Sequence, residues 1–177
     1  MAVELVFETH AITEDNERGI ATGWLPGRLS ARGRDLAREL GARRRDDKID
    51  AVFVSDLQRA VETAEIAFAG RPVPRFLDWR LRECDFGDLN GADSAIAHDR
   101  LAYLDVPYPN GETWRLAAAR AGAVLPDISA RWNGGRVLVI GHVATRWGIE
   151  HAIDGTPLEQ LATEDFAWRE GWEYVLP

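Results

Sequence analysis

Three short apolar runs, each followed by a turn and a helical pattern, leave this chain few ways to fold. Val3–Phe7 (VELVF) leads into ETHA, Ala51–Val54 (AVFV) into SDLQRAVETAEIAFAG, and Arg136–Gly141 (RVLVIG) into HVATRWGIEHAI. Near-continuous apolar runs, unlike alternating ones, suit strands covered on both faces, as in a parallel sheet. The alternation of strand and helix predicts an α/β fold. The expected architecture is a three-layer sandwich with a mostly parallel central sheet and helices on both faces. Ser30 is the expected N-cap of a helix over LSARGRDLARELGARRR that buries Leu36 and Leu40. A second helix over Asp56–Phe68 gathers Leu57, Ala60, Val61, Ala64 and Ile66–Phe68 largely on one side. GETWRLAAARAGAVLPDISARW reads as one longer helix disturbed near Pro126, and GWEYVLP as an edge strand.

At 177 residues the chain suits one domain spanning 1–177. Residues from about 84 to 110 carry DFGDLNGADS and YLDVPYPNG, and this Gly, Asp and Pro content predicts an irregular insertion or lid. A short helix is expected within it around Ile96–Tyr103. The net charge of −8 argues against nucleic-acid or anionic-membrane partners. Cys84 is the single cysteine, so there is no intramolecular disulfide framework. With no signal peptide and no membrane-span pattern in the sequence, the expectation is a cytoplasmic protein. The tail DFAWREGWEYVLP is a candidate homodimer contact. Most of Trp24, Trp79, Trp114, Trp147, Trp168 and Trp172 are expected in the core, with one or two at the rim of a pocket.

In open α/β sheets, ligands bind beyond the carboxyl ends of the strands. The first run delivers His10 there, the second Ser55 with Arg59 one helical turn on, and the third His142. Singly, each has an ordinary structural explanation; together they suit one chemistry. A helix N-terminus beside a guanidinium addresses phosphate oxygens, and an imidazole in that field can attack phosphorus. A second histidine can hold the transferring group while a carboxylic acid protonates the departing oxygen. Glu83, in LRECDFGDLNG at the mouth of the insertion, is the carboxyl candidate. A metal site would compete for the same histidines. However, no HxH, HxxxH or HExxH spacing is present, and a phosphate site is the better reading.

These blocks, in this order, resemble the histidine phosphatase superfamily, also called the phosphoglycerate mutase-like family. THAITEDN resembles its Arg-His-Gly-x-Thr-x-x-Asn signature, and SDLQRAVETAE its Ser-x-Leu-x-Arg-Ala-x-x-Thr-Ala block. LRECDFGDLNG resembles Leu-x-Glu-x-x-Phe/Tyr-Gly-x-x-x-Gly, and VLVIGHVATR the strand that ends in the second histidine. The resemblance implies a metal-independent phosphatase acting on a small phosphorylated substrate without a cofactor, with mutase and binding-protein readings as alternatives. It implies His10 as the phosphorylated nucleophile and Glu83 as the proton donor. Arg59 and His142 would form the phosphate pocket, Asn16 would line it, and Thr22 with Gly23 would approach the substrate. Thr9 and Ala11 stand where the signature has arginine and glycine. Another arginine is therefore expected to supply the missing guanidinium. Arg18 is the first candidate and Arg146 the second, with Arg82 also in reach and Glu8 an acidic neighbour.

Overall fold

The computed structural model describes residues 1–177. Five strands run through it: β1 (Val3–Thr9), β2 (Ala51–Val54), β3 (Arg75–Leu77), β4 (Arg136–Gly141) and β5 (Trp172–Leu176). They form one sheet in the order β3-β2-β4-β1-β5. All neighbours pair in parallel except β5, which runs antiparallel to β1. The helices are α1 (Glu14–Glu17), α2 (Ala31–Arg43), α3 (Gln58–Ala67), α4 (Ser94–Ala97), α5 (Trp114–Gly122), α6 (Leu125–Trp132), α7 (Val143–Asp154) and α8 (Leu158–Thr163).

Strand geometry sends alternate side chains to opposite faces. Leu5, Phe7, Val137 and Val139 pack on one face with Ile128 of α6 and Ile149 of α7. Val6, Val52, Val54, Leu138 and Ile140 pack on the other with Leu40 of α2 and Ala60 and Ala64 of α3. Burial on both faces is why the runs read as continuously apolar. A third cluster, built on Phe86, Tyr108, Trp114 and Trp147, anchors the segment that follows Cys84. Gly148 lets α7 approach α5 closely, since a Cβ there would lie 2.5 Å from the Ala118 carbonyl oxygen.

Several elements differ from the sequence reading. The helix expected across Pro126 is two helices, α5 and α6, with Pro126 in the first turn of α6, where its missing N–H costs nothing. The helix of the insertion lies at Ser94–Ala97 rather than around Ile96–Tyr103, because Asp93 caps it through the Ala95 N–H (2.8 Å). Leu40 is buried, but Leu36 is only half-buried. β3 was not anticipated. No helix is long and apolar enough to cross a membrane.

The register sets the site. Thr9 pairs with Gly141, so His10 and His142 both follow the last pair of the β1–β4 ladder. The His10 N–H still donates to the Gly141 carbonyl (3.0 Å), and the Ser55 N–H to the Ile140 carbonyl (3.0 Å). Three neighbouring strands thus deliver His10, Ser55 and His142 side by side.

Candidate active site

His10, Arg59, Glu83 and His142 line one cavity of about 630 Å³ at these strand ends. The ring centroids of His10 and His142 are 5.0 Å apart. His10 Nδ1 lies 2.7 Å from the Ala11 carbonyl oxygen, which can only accept, so Nδ1 carries the proton and Nε2 keeps its lone pair. Thr63 steadies this contact: its hydroxyl accepts the Ala11 N–H (3.0 Å) and donates to the Arg59 carbonyl (2.7 Å). Burial, reinforced by the Arg59 charge, lowers the pKa of His10 to about 3. At neutral pH His10 is therefore an uncharged imidazole.

His142 is buried, and its Nε2 lies 2.9 Å from Ser55 Oγ. Arg59 Nη2, a donor only, approaches His142 Nδ1 at 3.4 Å, which assigns the proton to Nε2 on the Ser55 side. Burial first, then Arg59 and His10, push the pKa of His142 well below the imidazole range. Arg59 also donates to the Gly23 carbonyl (2.9 Å). Burial brings its pKa down to about 10 against the opposing pull of Glu83 and Asp15, so it remains a cation at neutral pH. Gly23 has φ +55°, and a Cβ there would fall 1.7 Å from Asn90 Oδ1. Glycine is required for that turn.

Glu83 accepts from the N–H groups of Cys84 (2.9 Å), Ala144 (3.0 Å) and Val143 (3.3 Å), the last two at the start of α7. The helix N-terminus beside His142 is thus occupied by a carboxylate of the protein itself. The Glu83 carbonyl accepts from Trp24 Nε1 (2.7 Å) and Arg120 (3.1 Å), which fixes the backbone that presents it.

Asn16, Thr22, Gly23 and Thr9 also line the cavity. The Asn16 side-chain oxygen is engaged by Thr13 in a capping box, which leaves its amide NH₂ for a ligand. The Thr22 hydroxyl donates to Asp15 (2.9 Å). Thr9 Oγ1 is buried with no hydrogen-bond partner. Arg18 and Arg146 are not brought to the cavity. Arg18 is largely exposed and pairs with Asp15, while Arg146 pairs with Glu150 and Glu164 and lies over Trp172. Arg82 is held bidentately by Asp56 (2.7 and 2.6 Å). Glu8 does not meet any of these three: it pairs with Arg43 and Arg44.

The arginine that does line the cavity near Glu83 is Arg100, from the insertion, together with His98. Burial lowers the pKa of Arg100, and the charge of Glu83 opposes this. Its Nη1 donates to the Glu164 carbonyl (3.1 Å), whereas its Nε is buried without a partner. Neither residue was singled out in the sequence. The available signal was a histidine and an arginine two positions apart in a segment otherwise rich in Gly, Asp and Pro. Thr63, the threonine of SDLQRAVETAE, was visible but had no evident task until its two hydrogen bonds were seen.

The buried imidazoles make stability depend on pH. An unfolded chain protonates histidine near 6.5, whereas folded His10 resists protonation down to about 3. Between those values the unfolded state binds more protons, so stability falls as pH is lowered from 7 to 4. The melting temperature of His10→Gln is expected to fall less over that range than that of the wild type. Equal falls would mean that His10 is charged in the folded protein.

The family model of the histidine phosphatase superfamily (branch 1) matches residues 5–167. The 2,3-bisphosphoglycerate-dependent phosphoglycerate mutase of Methylorubrum populi is 30% identical over 184 residues, covering 92% of this chain and 84% of that protein. Among solved structures, Bacillus stearothermophilus YhfR is 30% identical with a TM-score of 0.84, covering 96% of this chain and 88% of its own. A mycobacterial glucosyl-3-phosphoglycerate phosphatase is 26% identical with a TM-score of 0.80, covering 92% of this chain and 84% of its own.

Proposed function

Because the chain belongs to the histidine phosphatase superfamily (branch 1), we propose that it is a phosphatase that hydrolyses a small phosphomonoester through a phosphohistidine on His10. The observation that carries this reading is the free Nε2 of a neutral His10, facing a second imidazole at 5.0 Å with the buried Arg59 cation beside both. His10 Nε2 bonds to phosphorus as the ester P–O bond breaks, and Glu83 protonates the departing oxygen. Glu83 then takes a proton from water, whose oxygen bonds to phosphorus as the N–P bond breaks.

Arg59 supplies charge to the transferring group. A phosphoryl oxygen beside His142 raises its proton affinity, and a protonated Nδ1 then donates to that oxygen. The N–H groups of Val143 and Ala144 become available to phosphoryl oxygens when Glu83 turns toward the leaving group. Thr9 brings one hydroxyl where the family signature has a guanidinium, and Arg100 supplies that group from the insertion.

Hydrolysis is favoured over mutase transfer by the insertion, which contributes the single arginine Arg100 to the cavity rather than an adjacent pair to grip a carboxylate. The test is phosphate release from a panel of phosphorylated metabolites with a chelator present, where turnover is expected to persist. Glu83→Gln is expected to slow alkyl phosphates by roughly 10²-fold, the lower range for a general acid, and p-nitrophenyl phosphate much less. Equal slowing of both esters would remove Glu83 from the proton-donor role.

A further inference from the structure

The cavity that holds His10 is much larger than a phosphoryl group needs, and much of its lining is apolar. At about 630 Å³ it falls in the range that encloses a drug-sized ligand. One wall is a stripe of α2, where Leu36 and Leu40 lie one turn apart between Arg32 and Arg43. Phe166 and Trp168, in the irregular segment between α8 and β5, line the cavity too, as does Ile12, two residues beyond His10. Ile12, Phe166 and Trp168 are 39%, 37% and 54% exposed. This partly exposed apolar surface lines the cavity that holds His10. The segment that carries it is pinned: the Glu170 carbonyl accepts from Arg44 Nη2 (3.1 Å), and Phe166 lies 6.1 Å from Trp172.

The charges around this arm are already matched. Arg43 pairs with buried Glu8, and Arg32 with Glu39 (3.0 Å). Arg43 Nε is sealed from solvent without a partner. The arm thus brings no cation without a carboxylate counter-ion of the protein's own. It offers aromatic and aliphatic surface at a distance set by the phosphoryl site.

We propose that this arm is a leaving-group subsite, and that the substrates are phosphomonoesters whose alcohol carries a flat, uncharged apolar group, with Trp168 and Leu36 determining specificity. This rests on the phosphatase reading for turnover, while binding alone tests the subsite. The experiment compares kcat/KM for 1-naphthyl phosphate and phenyl phosphate, which share their leaving-group chemistry and differ in apolar area. The comparison is made in the wild type, Trp168→Ala and Leu36→Ser. Alongside, calorimetry compares the non-hydrolysable 1-naphthylmethylphosphonate with benzylphosphonate.

Burying the additional ring surface should favour the naphthyl ester by roughly tenfold or more in the wild type, with the ratio falling toward one in both variants. Turnover with a ratio near one that neither variant changes overturns the subsite and leaves the phosphatase standing. No turnover of any ester, but tighter binding of the naphthyl phosphonate that Trp168→Ala weakens, overturns the phosphatase and supports the subsite. Neither turnover nor a preference between phosphonates overturns both.

Discussion

His10→Ala is expected to reduce phosphate release to the uncatalysed background, a loss of roughly 10⁴-fold or more, as when a covalent nucleophile is removed. His142, whose ring lies 5.0 Å away, cannot take its place. His142 has Nε2 turned to Ser55 at 2.9 Å and Nδ1 turned to the Arg59 guanidinium, so neither nitrogen is free to attack. His10 instead pairs an unprotonated Nε2 with a partner, the Ala11 carbonyl, that holds its other nitrogen. The low pKa of about 3 keeps that lone pair available through the whole neutral range. A second readout separates chemistry from folding. Wild-type enzyme quenched during turnover of a ³²P-labelled ester should retain alkali-stable, acid-labile label, and His10→Gln should retain none while melting cooperatively. Substantial turnover by His10→Ala would end the phosphohistidine reading.

The parts of this site that the sequence made legible are those fixed by the chain's own path. A strand that ends at a known residue must deliver its next side chain to the strand-end face, so His10, Ser55 and His142 were placed once β1, β2 and β4 were recognised. Arg59 followed because it lies one turn into the helix after β2. β3 was not legible, since Arg75–Leu77 is a three-residue edge strand after Pro74 with little burial to give it a pattern. Choices among side-chain partners were less legible still. Arg146 lies one turn beyond His142, which made it a candidate, but Glu150 one turn further on and Glu164 just past α8 hold its guanidinium elsewhere. The i,i+4 spacing of Arg146 and Glu150 was in the sequence, as was the i,i+3 spacing of Asp15 and Arg18. Local spacing of this kind argues against a free cation at both residues. Arg100 was hidden for the opposite reason. Its place depends on how an irregular segment folds back over Trp114 and Trp147, which no periodic pattern announces.

Arg100→Ala is accordingly expected to lower kcat/KM by roughly 10²- to 10³-fold, the cost of removing one preorganised donor from a transferring, charged group. The residue has the required character. It lines the cavity, feels the charge of Glu83, and keeps a buried Nε with no partner in the protein. Its competing role is mechanical, because Nη1 also ties the insertion to the Glu164 carbonyl at 3.1 Å. Inhibition by inorganic phosphate separates the two. A phosphate clamp weakens phosphate affinity when lost, and Arg100→Lys recovers only part of it because an ammonium lacks the bidentate fork. A mere tie lowers the melting temperature and leaves phosphate affinity alone. The cycle with Thr9 adds the sharper result. Thr9→Arg places a guanidinium where the family signature has one, so it should help little when Arg100 is present and substantially in the Arg100→Ala background. Such coupling between the two positions is the mark of two groups serving one anion. If Thr9→Arg has the same effect in both backgrounds, Arg100 does not stand in for the missing arginine, and the phosphoryl group relies on Arg59 alone.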